Sequence, residues 1–249
     1  MLLYPAALLA AGYEIEGAYG TQVIPLSDGG ALAMHLERMN MGELPESVVR
    51  WESDGRCTLR VPLEQTPRGQ NGFYGSRTPI AFSNGRCGLL EKTDGVAVWR
   101  EITQDGLAEA RELARGVREI AGGVDGLALT LEKDGAQSIL LLDAALERRT
   151  ECPMPEGGTG VFRYTAEDGA DTLLLTTSKA YAMLVVRLDG AGNLIWQCPV
   201  EHCNRMVSDG QGGVFVSGSP EENYKIEPVS YTHLEAGSAR EESLRRNQD

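Results

Sequence analysis

Short apolar runs alternate with glycine-containing turns along most of the chain. Asp28-Gly29 precedes ALAMHL, Asn84-Gly85 precedes RCGLL, and Asp125-Gly126 precedes LALTL. Asp168-Gly169 precedes ADTLLLTT, and Asp209-Gly210 precedes QGGVFVSG. These glycines stand at 29, 85, 126, 169 and 210, so the steps are 56, 41, 43 and 41 residues. A second series of turns runs between them, at Gly55, Gly106, Ala144 and Gly190, and Gly106 and Gly190 lie two steps of 42 apart. Two turn series with one period mark an internal repeat.

Asp-Gly and Asn-Gly supply the positive φ angles that tight hairpins require. The flanking runs are rich in Val, Ile, Leu and Thr, which suit a pleated strand. One period therefore holds four strands, clearest in GVREIAG, GLALTLEK, QSILLLD and LERRTECP of the third unit. Short links between them imply antiparallel order. A repeat of about 40–45 residues with four strands is that of a β-propeller blade. The expectation is an all-β fold, a β-propeller-type array of four-stranded antiparallel blades over 20–64, 72–115, 116–155 and 159–200, with a partial blade at 201–228. Insertions at Met39–Pro45 and Glu64–Thr78 account for the longer first step. One stretch has a rival reading. LAEARELARGVREIAG (107–122) has helix-favouring composition and places Leu107, Ala110, Leu113 and Ala114 on one helical face. The repeat register assigns it instead to a fourth strand followed by a first.

The ends do not fit the repeat. Residues 1–19 contain an apolar stretch too short to span a bilayer and without a basic leader, which reads as a strand or a clipped signal segment. After Pro228 the hairpin turns cease, and VSYTHL resembles artefactual ends of assembled sequences. Residues 229–249 are therefore expected to be a non-native or disordered tail. About four and a half blades form an open arc with apolar ends, and the expectation is an incomplete propeller prone to associate.

The net charge of −13 disfavours nucleic acid, and no Lys/Arg stripe offsets it. The five cysteines, at 57, 87, 152, 198 and 203, include no C-x-x-C and do not read as a disulfide framework. Cys152-Pro153 and Cys198-Pro199 end equivalent strands, where buried thiols pack as small hydrophobes and Pro suits a strand exit. Cys198, His202 and Cys203 carry zinc-ligand chemistry, but a structural site wants four ligands and no second pair stands nearby. DGAG (189–192) and DGQGG (209–213) lack the further acids of a calcium loop, and turn formation explains them. No metal or other cofactor is expected. No G-x-S-x-G occurs, His35 lies within a strand run, and acid pairs such as Glu221-Glu222 read as solvated. Trp51, Trp99, Trp196, Phe162 and Leu173–Leu175 read as core between sheets rather than as sugar platforms.

Residues 180–219, AYAMLVVRLDGAGNLIWQCPVEHCNRMVSDGQGGVFVSGS, resemble the blade repeat of exported bacterial β-propellers of the PQQ-like or WD40-like kind. VVRLD, GN-LIW and SDG-GG-FVSG carry the resemblance. Neither the Gly-His nor the Trp-Asp dipeptide of WD40 blades occurs. The resemblance implies a non-catalytic binding or scaffolding module of an exported or envelope-associated protein, with a protein or carbohydrate ligand and no membrane span. The alternatives are a glycan-active hydrolase or lyase built over a propeller, and an intracellular protein-interaction platform. The connections between second and third strands share one face with the links between blades. That face gathers the candidate ligand residues Arg68, Asn71, Tyr74, Arg77, Tyr181 and His202.

Overall fold

A computed structural model of the chain describes residues 18–26, 28–37, 46–63, 76–179, 182–218 and 230–234. Among them all regular structure is β-strand, and the chain divides into two compact units, Met1–Leu113 and Ala114–Asp249.

In the first unit, β1 (Ala18–Pro25), β2 (Ala31–Glu37), β3 (Glu46–Trp51) and β4 (Cys57–Leu63) form one antiparallel sheet in chain order. A second sheet runs β5 (Ser76–Ala81), β6 (Cys87–Thr93), β7 (Val96–Thr103) and β8 (Gly106–Leu107), with β9 (Arg111–Arg115) also pairing to β7. In the second unit, β10 (Val117–Gly123), β11 (Gly126–Lys133), β12 (Ala136–Asp143) and β13 (Arg148–Pro153) form a sheet. It is followed by β14 (Gly158–Glu167), β15 (Ala170–Thr177), β16 (Ala182–Leu188) and β17 (Leu194–Glu201). The last sheet has β18 (Cys203–Ser208), β19 (Val214–Gly218) and β20 (Ser230–Leu234). This is the blade-repeat pattern of a β-propeller-like fold.

Turn chemistry sets the hairpins. Asp94-Gly95, Asp134-Gly135 and Asp168-Gly169 have both residues at positive φ, between 51° and 80°, as type I′ turns need. A longer turn recurs at 26–30, 52–56, 82–86, 143–147 and 189–193. In each, the fourth residue donates its N–H to the first carbonyl and the first N–H reaches the fifth carbonyl. Its left-handed position is Gly29, Gly55, Gly85, Leu146 and Gly192 respectively.

The region 107–122 is strand, not helix. Gly116 takes φ +73 there, and a Cβ at that position would lie 2.9 Å from the Glu132 carbonyl oxygen. The chain must turn sharply at this point, and tertiary pairing overrides the helix-favouring composition. Part of the C-terminal segment expected to be a tail is paired as a strand. Ser230–Leu234 pairs with β19, with Ser217 opposite Tyr231 and Phe215 opposite His233. Tyr231 and Thr232 are residue types that suit a strand. The YKIEP segment (224–228), read as the start of a third strand, lies outside the described residues.

Each strand alternates side chains between the two faces of its sheet, and neighbouring sheets within a unit pack face to face. In the first unit, Leu32, Val48 and Leu63 of one sheet meet Ala81, Cys87, Leu89 and Ile102 of the next. In the second, Ala128, Ile139 and Leu141 meet Leu173, Leu175, Val186 and Leu188. On the other face of the same sheet, Leu174 and Val185 meet Val214 and Val216. First strands of successive sheets are neighbours, β10 beside β14 and β14 beside β18, so the sheets of this unit converge at their first strands. Those strands carry register breaks, between Val117 and Glu119, Gly158 and Gly160, Val161 and Arg163, and Cys203 and Arg205.

Candidate functional site

Four of the six candidate ligand residues, Arg68, Asn71, Tyr74 and Tyr181, lie outside the described residues. Arg77 is not on an exposed loop. It is the second residue of β5, with its side chain only 10% exposed, and its Nε donates to Glu91 Oε1 at 2.5 Å. Glu91 Oε2 accepts from Arg100 Nε at 3.0 Å, so one half-sealed carboxylate ties β5, β6 and β7 together. His202 is half-buried in the link from β17 to β18 and takes φ +54. Arg77 and His202 belong to different units.

The metal-ligand candidates do not converge. Among the described residues, no group of three or more His, Cys, Asp or Glu side chains is arranged to hold a metal ion. All five cysteines are free thiols. Cys152 is buried in one seam of the second unit, and Cys198 and Cys203 pack against the other, as small hydrophobes do. The acids of the supposed calcium loops are consumed by their own turns. The Asn193 side chain, donating to Asp189 Oδ2, and then the backbone N–H of Asn193 (2.8 Å) and of Ala191 (2.9 Å), donating to Oδ1, hold the Asp189 carboxyl below the usual range. Asp209 Oδ1 accepts likewise from Gln211 and Gly213. Trp99 is 2% exposed and stacked on Phe82, with ring centroids 5.1 Å apart, so it is core and no sugar platform. Leu173, Leu174 and Leu175 are fully buried, and Phe162 and Trp196 pack against the same seam as Leu174.

Among the described residues, the most enclosed ionisable group sits in the second unit. Asp171, fully buried on β15, accepts from Tyr164 Oη at 2.8 Å and from Arg149 Nη2 at 2.5 Å. Burial pushes its carboxyl up, and Tyr164 and then Arg149 pull it back. Burial, followed by the Asp171 charge, drives the Tyr164 phenol well above its ordinary range. Arg149 belongs to β13, so the charge pair crosses from one sheet to the next. Nothing in the sequence singled it out beyond one acid set against an apolar run, ADTLLL. In the first unit, Arg86 pairs with Glu101 within one sheet, its Nε and Nη2 donating to the Glu101 carboxylate at 3.1 and 2.7 Å. The Arg86 hydrogen bond holds the Glu101 carboxyl below its usual range. Both are fixed structural pairs, with a cation already occupying each carboxylate.

No protein-family model and no curated protein matches the chain. Solved structures do match in fold. The β-propeller domain of the Trilobed protease from Pyrococcus furiosus, described as having an open velcro topology, aligns with TM-score 0.53 at 12% identity, over 90% of this chain and 70% of that one. The acylaminoacyl peptidase of Pyrococcus horikoshii aligns with TM-score 0.51 at 10% identity, over 87% of this chain and 38% of that one. Prolyl oligopeptidase B from Galerina marginata, bound to a 35mer hydrolysis and macrocyclization substrate, aligns with TM-score 0.55 at 10% identity, over 94% and 35%. The chain thus spans little more than a third of the two peptidases. At such identities the likeness establishes the fold: all-β, of blade-like antiparallel sheets, similar to propeller domains. These relatives are a protease domain and peptidases, not glycan-active enzymes. Among the described residues no helix is long and apolar enough to cross a membrane.

Proposed function

We propose that the chain is a non-catalytic binding module of the β-propeller class and that its ligand is an extended polypeptide. Its contact residue is His202, in the second unit. Arg77 serves as an internal strut.

The observation that carries this reading is the backbone of His202. Two other inter-sheet links of the same unit turn through left-handed residues, and both are glycines, Gly116 at φ +73 and Gly157 at φ +88. His202 holds the same region at φ +54 with a side chain attached. A left-handed non-glycine residue costs about 1–2 kcal/mol, and such strain concentrates at sites of binding. The ligand class follows the fold relatives, which belong to proteins that process polypeptides.

The test is fluorescence anisotropy of labelled, carboxymethylated casein against the full chain, beside a panel of neutral oligosaccharides. Saturable casein binding is expected, weakened about tenfold, or about 1.4 kcal/mol, by His202→Ala and by His202→Gly. Binding of oligosaccharide alone, or casein binding untouched by both substitutions, overturns the reading.

A further inference from the structure

Charged groups withdrawn from water are ordinarily paired. Arg77 meets Glu91 and Arg149 meets Asp171 in that way. Arg187 on β16 is buried too, at 8% exposure, yet among the described residues no carboxylate lies within ion-pairing distance of it. Its Nη1 donates to Thr172 Oγ1 at 3.3 Å, and its Nε and Nη2 meet no acceptor among the described residues. Nor are those two nitrogens sealed. Among the described residues, the fully enclosed polar side-chain atoms left without a partner are Ser47 Oγ, Arg50 Nε and Trp99 Nε1. The remaining exposure of Arg187 therefore reaches its Nε–Nη2 edge.

The neighbours hold that edge in place. Arg187 stands opposite Thr172 on β15 and Trp196 on β17, and Thr172 is itself buried. Against the guanidinium lies the 209–213 turn, where a Cβ at Gly212 would stand 3.4 Å from Nη2 and 3.7 Å from Cζ. Gly212 takes φ +86, so the turn favours glycine and no side chain covers the guanidinium from that position. The adjacent acids are committed elsewhere. Glu167 accepts from Ser208 Oγ and from the Gly212 N–H at 3.3 Å. Asp171 accepts from Tyr164 and Arg149.

We propose that Arg187 is a carboxylate-binding site beneath the 209–213 turn, its Nε and Nη2 donating side by side to the two oxygens of a small monocarboxylate. The protein uses the same edge elsewhere, where Arg86 Nε and Nη2 donate to Glu101 at 3.1 and 2.7 Å. A planar carboxylate matches that fork bidentately. Glu167 and Asp171 set the charge preference, because they repel a phosphate dianion about twice as strongly as a monoanion. The narrow opening limits the ligand to an unbranched acid, either free in solution or at the tip of an acidic peptide side chain. The assignment is independent of the polypeptide reading above and survives its failure.

Isothermal titration and thermal melting of the full chain test it, with sodium acetate, acetyl-glutamate amide and sodium phosphate each set against sodium chloride at matched ionic strength. Saturable binding and a raised melting temperature are expected with acetate, with the glutamate amide or with both, and the stronger of the two names the source. Phosphate should do no more than chloride. Arg187→Gln should weaken carboxylate binding about tenfold or more. Arg187→Lys, which keeps the charge and loses the fork, should retain only part of the affinity, and it decides the matter if the glutamine variant does not fold. No carboxylate effect beyond chloride in the parent chain overturns the proposal. So does a phosphate effect as strong as that of the carboxylates, or an equal carboxylate effect in the parent chain and a folded Arg187 variant.

Discussion

Gly88 on β6 is the position where one added methyl group should cost most for its size. A Cβ there would lie 2.4 Å from Trp99 Cζ2, 2.6 Å from Trp99 Cε2 and 2.5 Å from the Arg100 carbonyl oxygen. Neither neighbour can yield cheaply. Gly88 is paired with Glu101 in the β6–β7 ladder, so the Arg100 oxygen is fixed by the strand. Trp99 is 2% exposed and backed by Phe82 at an interplanar angle of 25°, so its ring has nowhere to slide. Gly88 does not have a positive φ, so the backbone tolerates alanine. In a strand, relieving glycine's conformational freedom would favour alanine by about 0.5–1 kcal/mol. Overpacking costs about 1–3 kcal/mol, and expelling a tryptophan from its site about 3–5 kcal/mol. Gly88→Ala should therefore destabilise by about 2–4 kcal/mol net. Urea unfolding followed by circular dichroism measures it as a lower midpoint at unchanged slope. A double-mutant cycle with Trp99→Leu isolates the cause, since the penalty should shrink by about 1 kcal/mol or more once the ring is gone. An unchanged midpoint in Gly88→Ala, or an undiminished penalty in the Trp99→Leu background, refutes the packing argument.

Arg149→Met leaves Asp171 buried without its cation and should cost about 3–5 kcal/mol, whereas Tyr164→Phe, which removes one hydrogen bond, should cost about 1–3 kcal/mol, both read by urea denaturation. Because burial raises the folded pKa of Asp171, its contribution is fully present below the unfolded carboxylate pKa and lost as pH rises through the folded value. Asp171→Asn should therefore flatten the fall in melting temperature over that window. Glu101 behaves oppositely, because Arg86 lowers its folded pKa, and its stabilisation is lost as pH falls through that value. Glu101→Gln should make the protein less sensitive to acid between those two values, as melting curves against pH will show. His202→Gly should raise stability by up to about 1 kcal/mol, the strain relieved less the freedom gained by the unfolded chain. A loss of stability would show that the His202 side chain is held by packing.

The hairpins were legible because their cause is local. Asp94-Gly95, Asp134-Gly135 and Asp168-Gly169 carry in two adjacent residues the positive φ values that the turn demands. The spacing of the glycine turns at 85, 126, 169 and 210 then announced the sheets. At 107–122 local composition favoured a helix, and the repeat register correctly assigned strands, where Gly116 fits under the Glu132 carbonyl. The C-terminal SYTHL segment was passed over for a related reason. It follows no turn of the repeat's kind, and only its register with β19 reveals it as a strand.

The candidate site was far less legible, because its features belong to contacts between repeats. Arg77 looked like a loop cation, yet its partner Glu91 stands fourteen positions on, across a hairpin. Asp171 and Arg149 are separated by 22 positions and meet only when one sheet stacks on the next. One signal did exist in the repeat itself. Had the strands been laid against one another residue by residue, the extra residue in each first strand would have marked the bulges. His202 would then have stood out beside Gly116 and Gly157. A repeat protein places its structure in what its units share. One unit departs from that shared pattern at His202, which holds the left-handed conformation that glycines take at 116 and 157.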